Sequence, residues 1–147
     1  MAGSPHDAIA VGDHGYAAHL DAAGHTRIEC GEEMTSSLRA VVRADAIAWA
    51  VGEHGVVVRL DAQGCTVERA PDPAAPTLLA IGIGVHGRPF AVGDEGACVE
   101  RDASGAWQAS DLDAGRSSLR GVERIERYVY LVGTGGAILR RIVVDGT

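Results

Sequence analysis

The hexapeptide AVGDHG at Ala10 returns as AVGEHG at Ala50, AVGDEG at Ala91 and LVGTGG at Leu131, at intervals of 40, 41 and 40 residues. A period near 40 limits the chain to helical arrays or to sheets stacked as the blades of a propeller. No stretch carries a sustained 3.6-residue apolar period with caps, which disfavours the helical arrays.

The repeated unit is longer than the hexapeptide. An apolar or alternating run follows each copy and then an aspartate–glycine turn, as in VVVRLDAQGCTVER from Val56; another run precedes the later copies, as in SSLRAVVRADAIAWAVG from Ser36. In the second copy the pattern predicts strands at Leu38–Arg43, Ile47–Val51, Val56–Leu60 and Thr66–Arg69, each short, rich in valine, isoleucine or leucine, and bounded by turn residues. Gly15, Gly55, Gly96 and Gly136 close the hexapeptides, where a type I turn with a bulge needs one left-handed residue. Asp21 with Gly24, Asp61 with Gly64 and Asp102 with Gly105 suit a second type I turn, whose aspartate accepts backbone N–H groups.

Four-stranded antiparallel units at this spacing read as an all-β chain, a β-propeller built from blades at about 1–35, 36–75, 76–116 and 117–147. The links CGEEMTSS from Cys30, APDPAA from Ala70 and SDLDAGRSS from Ser110 are acidic or polar and are expected to face solvent.

The alternation of apolar strand, AVG turn, strand and aspartate–glycine turn resembles the Asp-box propellers, among them bacterial neuraminidase repeats and the photosystem II stability and assembly factor family. The segment RDASGAW, with Asp102, Gly105 and Trp107, lies nearest to the box Ser/Thr-x-Asp-x-Gly-x-x-Trp, with one residue too many between aspartate and glycine. The resemblance implies the fold. Sialidase chemistry would further need three arginines on a carboxylate, a tyrosine nucleophile beside a glutamate, and an acid aspartate; the arginine–isoleucine–proline segment of those enzymes is missing, so no catalytic residue carries over.

The copies supply three, four, four and three strands by this reading, 14 in all or about 3.5 blades. Open blades expose unpaired strand edges, so self-association is expected, two copies closing an even-bladed ring. An unequal four-bladed monomer and a ring completed by another protein are the alternatives.

All 13 basic residues are arginine, so no lysine is present for a Schiff base or a phosphate loop. A net charge of -7 argues against nucleic acid and anionic membranes as partners. Cys30, Cys65 and Cys98 are odd in number and far apart, with no CxxC pair, suggesting neither a disulfide framework nor a zinc site, and hence a reducing cytoplasm. No export signal or apolar span of 18 residues is visible in the chain.

Candidate binding residues fall into three groups. Asp13, His14, Glu53, His54, Asp94 and Glu95 tip the hexapeptide turns and define one acidic rim suited to a basic partner. Arg39 and Arg120 hold equivalent places on innermost strands, with Arg43 and Arg124 four residues later, and could grip carboxylate or phosphate groups at a channel mouth. Trp107 is the one tryptophan near a rim, where a sugar ring could stack. No metal or other cofactor is implied, and Asp111 with Asp113 reads as a solvated loop. A noncatalytic protein-binding scaffold is the expected function; a lectin formed by an oligomeric propeller is the alternative, and a sialidase-like glycosidase a more distant one.

Overall fold

The computed structural model describes residues 2–4, 7–31, 34–84, 87–110, 117–125 and 127–142. Four antiparallel sheets follow one another along the chain. The first holds β1 (Ala2–Ser4), β2 (Asp7–Val11), β3 (Ala17–Asp21) and β4 (Gly24–Arg27), and the second β5 (Leu38–Ala44), β6 (Ile47–Gly52), β7 (Val57–Asp61) and β8 (Gly64–Arg69). The third holds β9 (Leu78–Ile83), β10 (Pro89–Gly93), β11 (Cys98–Arg101) and β12 (Trp107–Ala109); the fourth holds β13 (Leu119–Ile125), β14 (Tyr128–Gly133) and β15 (Ile138–Ile142). Within each sheet the strands lie side by side in chain order, as hairpins demand. The inner strands touch in sequence, β1 to β5, β5 to β9 and β9 to β13, which makes the sheets blades of a β-propeller.

One strand was not legible. The three residues of β1 pair with β2, Gly3 opposite Ala8, so the first sheet has four strands where three were expected, and the described chain has 15 in place of 14. Ala2, Gly3 and Ser4 carry too little pattern to read as a strand. Asp111 and Asp113, with most of the link from Ser110, and the tail from residue 143 lie outside the described residues.

The core consists of the seams between stacked sheets. Alternation puts one set of residues of each strand on either face, and the facing sets of adjacent sheets pack together. Ile9 and Ala17 meet Ala48, Ala50, Val58 and Leu60 at the first seam. Trp49, Val51 and Val57 meet Ile81, Ala91 and Val99 at the second, and Ala80, Phe90, Val92 and Cys98 meet Val129, Leu131 and Leu139 at the third.

The hexapeptide turn differs from the expected type I turn. His14, His54, Glu95 and Gly135 have φ of 54°, 60°, 60° and 67°, and the glycine after each is also left-handed. The Val56 N–H donates to the Glu53 carbonyl at 3.3 Å across this pair. Two successive left-handed residues give the mirror-image sense of turn, which matches the right-handed twist of the strands it joins. The earlier glycine of the hexapeptide has a separate role. A Cβ on Gly52 or Gly93 would stand 2.0 Å from the Ser37 or Thr77 carbonyl oxygen, because the link into each blade crosses directly over that Cα. The Glu53 N–H donates to that same Ser37 carbonyl at 2.9 Å, and the Asp94 N–H to Thr77.

The cysteine expectation is corrected by the fold. Cys30 and Cys65 form a disulfide with Cα atoms 4.8 Å apart, tying the segment after β4 to β8 of the next sheet. Thirty-five positions separate them in sequence, and only the stacking of the first two sheets makes them neighbours.

Candidate functional site

At the second seam the outer part of the junction is filled. Glu68 is half-buried there and accepts from Arg101 Nε at 2.9 Å, Arg101 Nη2 at 3.0 Å and Trp107 Nε1 at 2.9 Å. Arg59 Nη1 lies 3.5 Å from the same carboxylate, and the Arg101 guanidinium sits 5.7 Å from the centre of the Trp49 ring. Burial pushes the Glu68 carboxyl up, yet the hydrogen bonds from Arg101 and Trp107, with the positive charges of Arg101 and Arg59, outweigh it and leave the pKa below its ordinary value. Trp107 is therefore bound up in holding two sheets together.

The equivalent space at the first seam is open. Where the second seam has Trp49, Glu68, Arg101 and Trp107, the first has the smaller Ile9, Ile28, Leu60 and Cys65 at the matching positions of the repeats and their ladders. What remains is a groove of about 690 Å³, with Ile9, Ile28, Ala48 and Leu60 along its floor. Arg27, Glu29, Arg43, His19 and Asp61 line it as well, so cationic and anionic groups flank one apolar strip. A cleft of this volume with few polar groups over an apolar floor is the common form of a ligand site. The Cys30–Cys65 bridge ties together the two sheets that form its walls.

Each wall is locally determined. The Asp61 carboxylate accepts the Gln63 N–H at 2.9 Å, which sets the β7–β8 turn whose residues Asp61, Ala62, Gln63 and Gly64 border the groove. Arg43 Nε donates to the Asp45 carbonyl at 3.1 Å, holding the Arg43 side chain along the β5–β6 turn. Arg27 Nε lies 3.3 Å from Glu29 Oε1, and its guanidinium is 5.7 Å from the centre of the Tyr16 ring.

The remaining sequence candidates disperse. Arg39 stands at a bulge opposite the hexapeptide, since β5 pairs Leu38 with Gly52 and Ala40 with Val51. From there its Nη2 donates to Glu53 Oε1 at 2.7 Å, and that bond holds the Glu53 carboxyl below its usual range. Arg43 lies at the opposite end of β5, roughly 13 Å away at about 3.3 Å per residue, so these two arginines do not share a mouth. Arg120 occupies the matching bulge of β13, and Arg120 and Arg124 are both exposed.

Asp13, His14, Glu53, His54, Asp94 and Glu95 all stand on β2–β3-type turns at one rim, but each set leans on its own neighbouring link. The His14 N–H donates to Ser37 Oγ at 3.3 Å, His54 Nδ1 lies 3.3 Å from Ser36 Oγ, and the Asp72 N–H donates to the His54 carbonyl at 2.9 Å. Among the described residues no three His, Cys, Asp or Glu side chains converge in an arrangement that could hold a metal ion. The groove itself was missed in the sequence; comparing the four repeats column by column for loss of bulk at the seams would have shown it.

No family model matches the chain, and no curated protein matches it in sequence. Solved structures match it in shape. A streptogramin B lyase superposes with a TM-score of 0.63 at 13% identity, over 92% of this chain and 53% of its own. YCF48 from Cyanidioschyzon merolae gives 0.61 at 16%, over 93% and 50%, and YCF48 bound to a D1 peptide gives 0.58 at 14%, over 93% and 62%. At such identities the likeness shows the fold alone, a β-propeller, and the chain spans about half the length of the lyase and of the algal YCF48.

Proposed function

We propose that this chain is a noncatalytic protein-binding module that takes a short segment of a partner protein in the groove between its first two sheets. The groove's make-up carries the proposal: an apolar floor of Ile9, Ile28, Ala48 and Leu60, flanked by Arg27 and Arg43 and by Glu29 and Asp61. A peptide offers alternating apolar and charged side chains, which such a strip can take up together. A propeller of similar fold has been solved with a bound peptide, which supports peptide binding by a fold of this kind. The Asp102 turn supports kinship with Asp-box blades, because its carboxylate accepts the Ser104 and Ala106 N–H groups at 2.9 and 3.1 Å. The Cys30–Cys65 bridge favours an oxidising compartment over the cytoplasm expected from the sequence.

A selection of binders from a peptide library, followed by titration, tests the site. Arg27→Glu is expected to weaken selected peptides about tenfold, the size of one lost rim charge contact, while Glu95→Gln on the hexapeptide rim leaves them unchanged. The opposite pattern overturns the groove. A signal on a glycan array with no peptide selected would favour the lectin, and turnover of a generic glycoside would overturn both.

A further inference from the structure

The fourth sheet presents a face that the other three bury. Ile9, Trp49 and Phe90, with the residues two and eight places later in each repeat, pack on the sheet that follows. Their counterparts in the fourth repeat are Tyr130, Val132 and Ile138. Val132 is 46% exposed and Ile138 70%, and Ile125 on the same face is 57% exposed. Three of the five exposed large apolar residues described for the molecule thus share one face. Such clustering marks an interaction surface.

The ladder gives this face a regular layout. Gly121, Val132 and Ile138 form one row across the three strands, Glu123, Tyr130 and Arg140 the next, and Ile125 and Tyr128 begin the third. An acid on the inner strand and a base on the outer strand therefore share the row of Tyr130, the Arg140 guanidinium reaching over the Tyr128 ring at 4.8 Å. On the side of the first sheet away from the second, Ala8 and Ala18 are 1% and 0% exposed, with Ala10 and Leu20 half-buried beside them, so that face is largely taken up.

We propose that this face docks against the same face of a second copy, about a two-fold axis running parallel to the strands along β14. That operation lays β13 of one copy over the partner's β15, so that Glu123 meets the partner's Arg140 twice, around a centre of paired Tyr130 and Val132. The other in-plane axis, perpendicular to the strands, would set Glu123 against the partner's Glu123, a like-charge contact that selects against it. An isologous interface requires a surface complementary to itself, and the middle row satisfies that. The joint differs from closure of an even-bladed ring, and it leaves both grooves open.

Sedimentation velocity over a concentration series reaching about 1 mM, high enough for a small interface of weak affinity, tests the proposal. The wild-type chain is expected to dimerise. Glu123→Arg alone and Arg140→Glu alone are each expected to remain monomeric, while an equimolar mixture of the two forms a heterodimer and the double swap restores the homodimer. A monomeric wild type, or a dimer indifferent to both swaps, overturns it; unchanged circular dichroism in each variant excludes misfolding. Peptide affinity of the Arg27→Glu variant is measured separately, so failure of the dimer and failure of the groove are distinguishable.

Discussion

Glu68 of β8 and Arg101 of β11 form a two-pronged hydrogen bond across the second seam, Nε to Oε1 at 2.9 Å and Nη2 to Oε2 at 3.0 Å. The pair carries Trp107 with it, through the indole N–H to the same carboxylate. Removing either partner strands a half-buried charge, so Glu68→Ala or Arg101→Ala is expected to cost about 1–3 kcal/mol in urea denaturation. Wild-type stability in either variant would show that the seam is held by its apolar residues alone.

The same carboxylate predicts an acid-side loss of stability. Its folded pKa lies below the unfolded 4.5, so its contribution is complete above that value and is lost as pH falls through the folded pKa. Stability measured from pH 6 down toward pH 2 should fall less steeply in Glu68→Gln than in the wild type, about the same midpoint region. Parallel curves would assign the slope to other carboxylates.

The disulfide closes a loop whose ends are 35 positions apart. Loop-closure entropy for that length gives about 3–4 kcal/mol of stabilisation. Cys30→Ser, or reduction of the wild type, should lower the melting temperature by several degrees and weaken peptide binding in the groove. The Cys98→Ser variant is the control for loss of a thiol elsewhere.

The first glycine of the hexapeptide is crowded in one copy and open in another, a difference that mutation can expose. Gly52→Ala drives a Cβ into the Ser37 carbonyl and should destabilise by about 3 kcal/mol or more. Gly12→Ala, at the same repeat position with no atom within 4 Å of the new Cβ, should be near neutral.

The turn tips predict changes of opposite sign. Glu95 has φ of 60° and Gly135 has 67°, and a Cβ on Gly135 would meet nothing within 4 Å, so backbone preference alone decides there. Glu95→Gly should therefore stabilise by about 0.5–1 kcal/mol and Gly135→Ala should destabilise by about the same amount. Equal effects of one sign would mean that contacts at the tip dominate.

Most of what is held within one repeat was open to sequence reasoning, β1 and the handedness of the hexapeptide turn excepted. The hairpins of the second sheet match their predicted strands to within two residues, because ladder partners lie a few positions apart on either side of a turn whose glycine and aspartate announce it. The Asp21, Asp61 and Asp102 carboxylates accept backbone N–H groups two positions on, as their spacing from glycine requires. The sequence by itself thus determined the sheets, their order and the period that stacks them.

What the seams contain was decided by the tertiary structure. Cys30 meets Cys65, Glu68 meets Arg101, and the groove opens between Ile9 and Leu60, in each case across two different repeats. Arg39 and Arg43, four apart in sequence, are drawn to opposite rims because a strand carries them along its length while a bulge interrupts its pairing. A period of 40 residues specifies that one sheet will lie on the next. Which side chains then fill the space between them depends on volume and charge at positions a full repeat apart, and those meet only once the sheets have stacked.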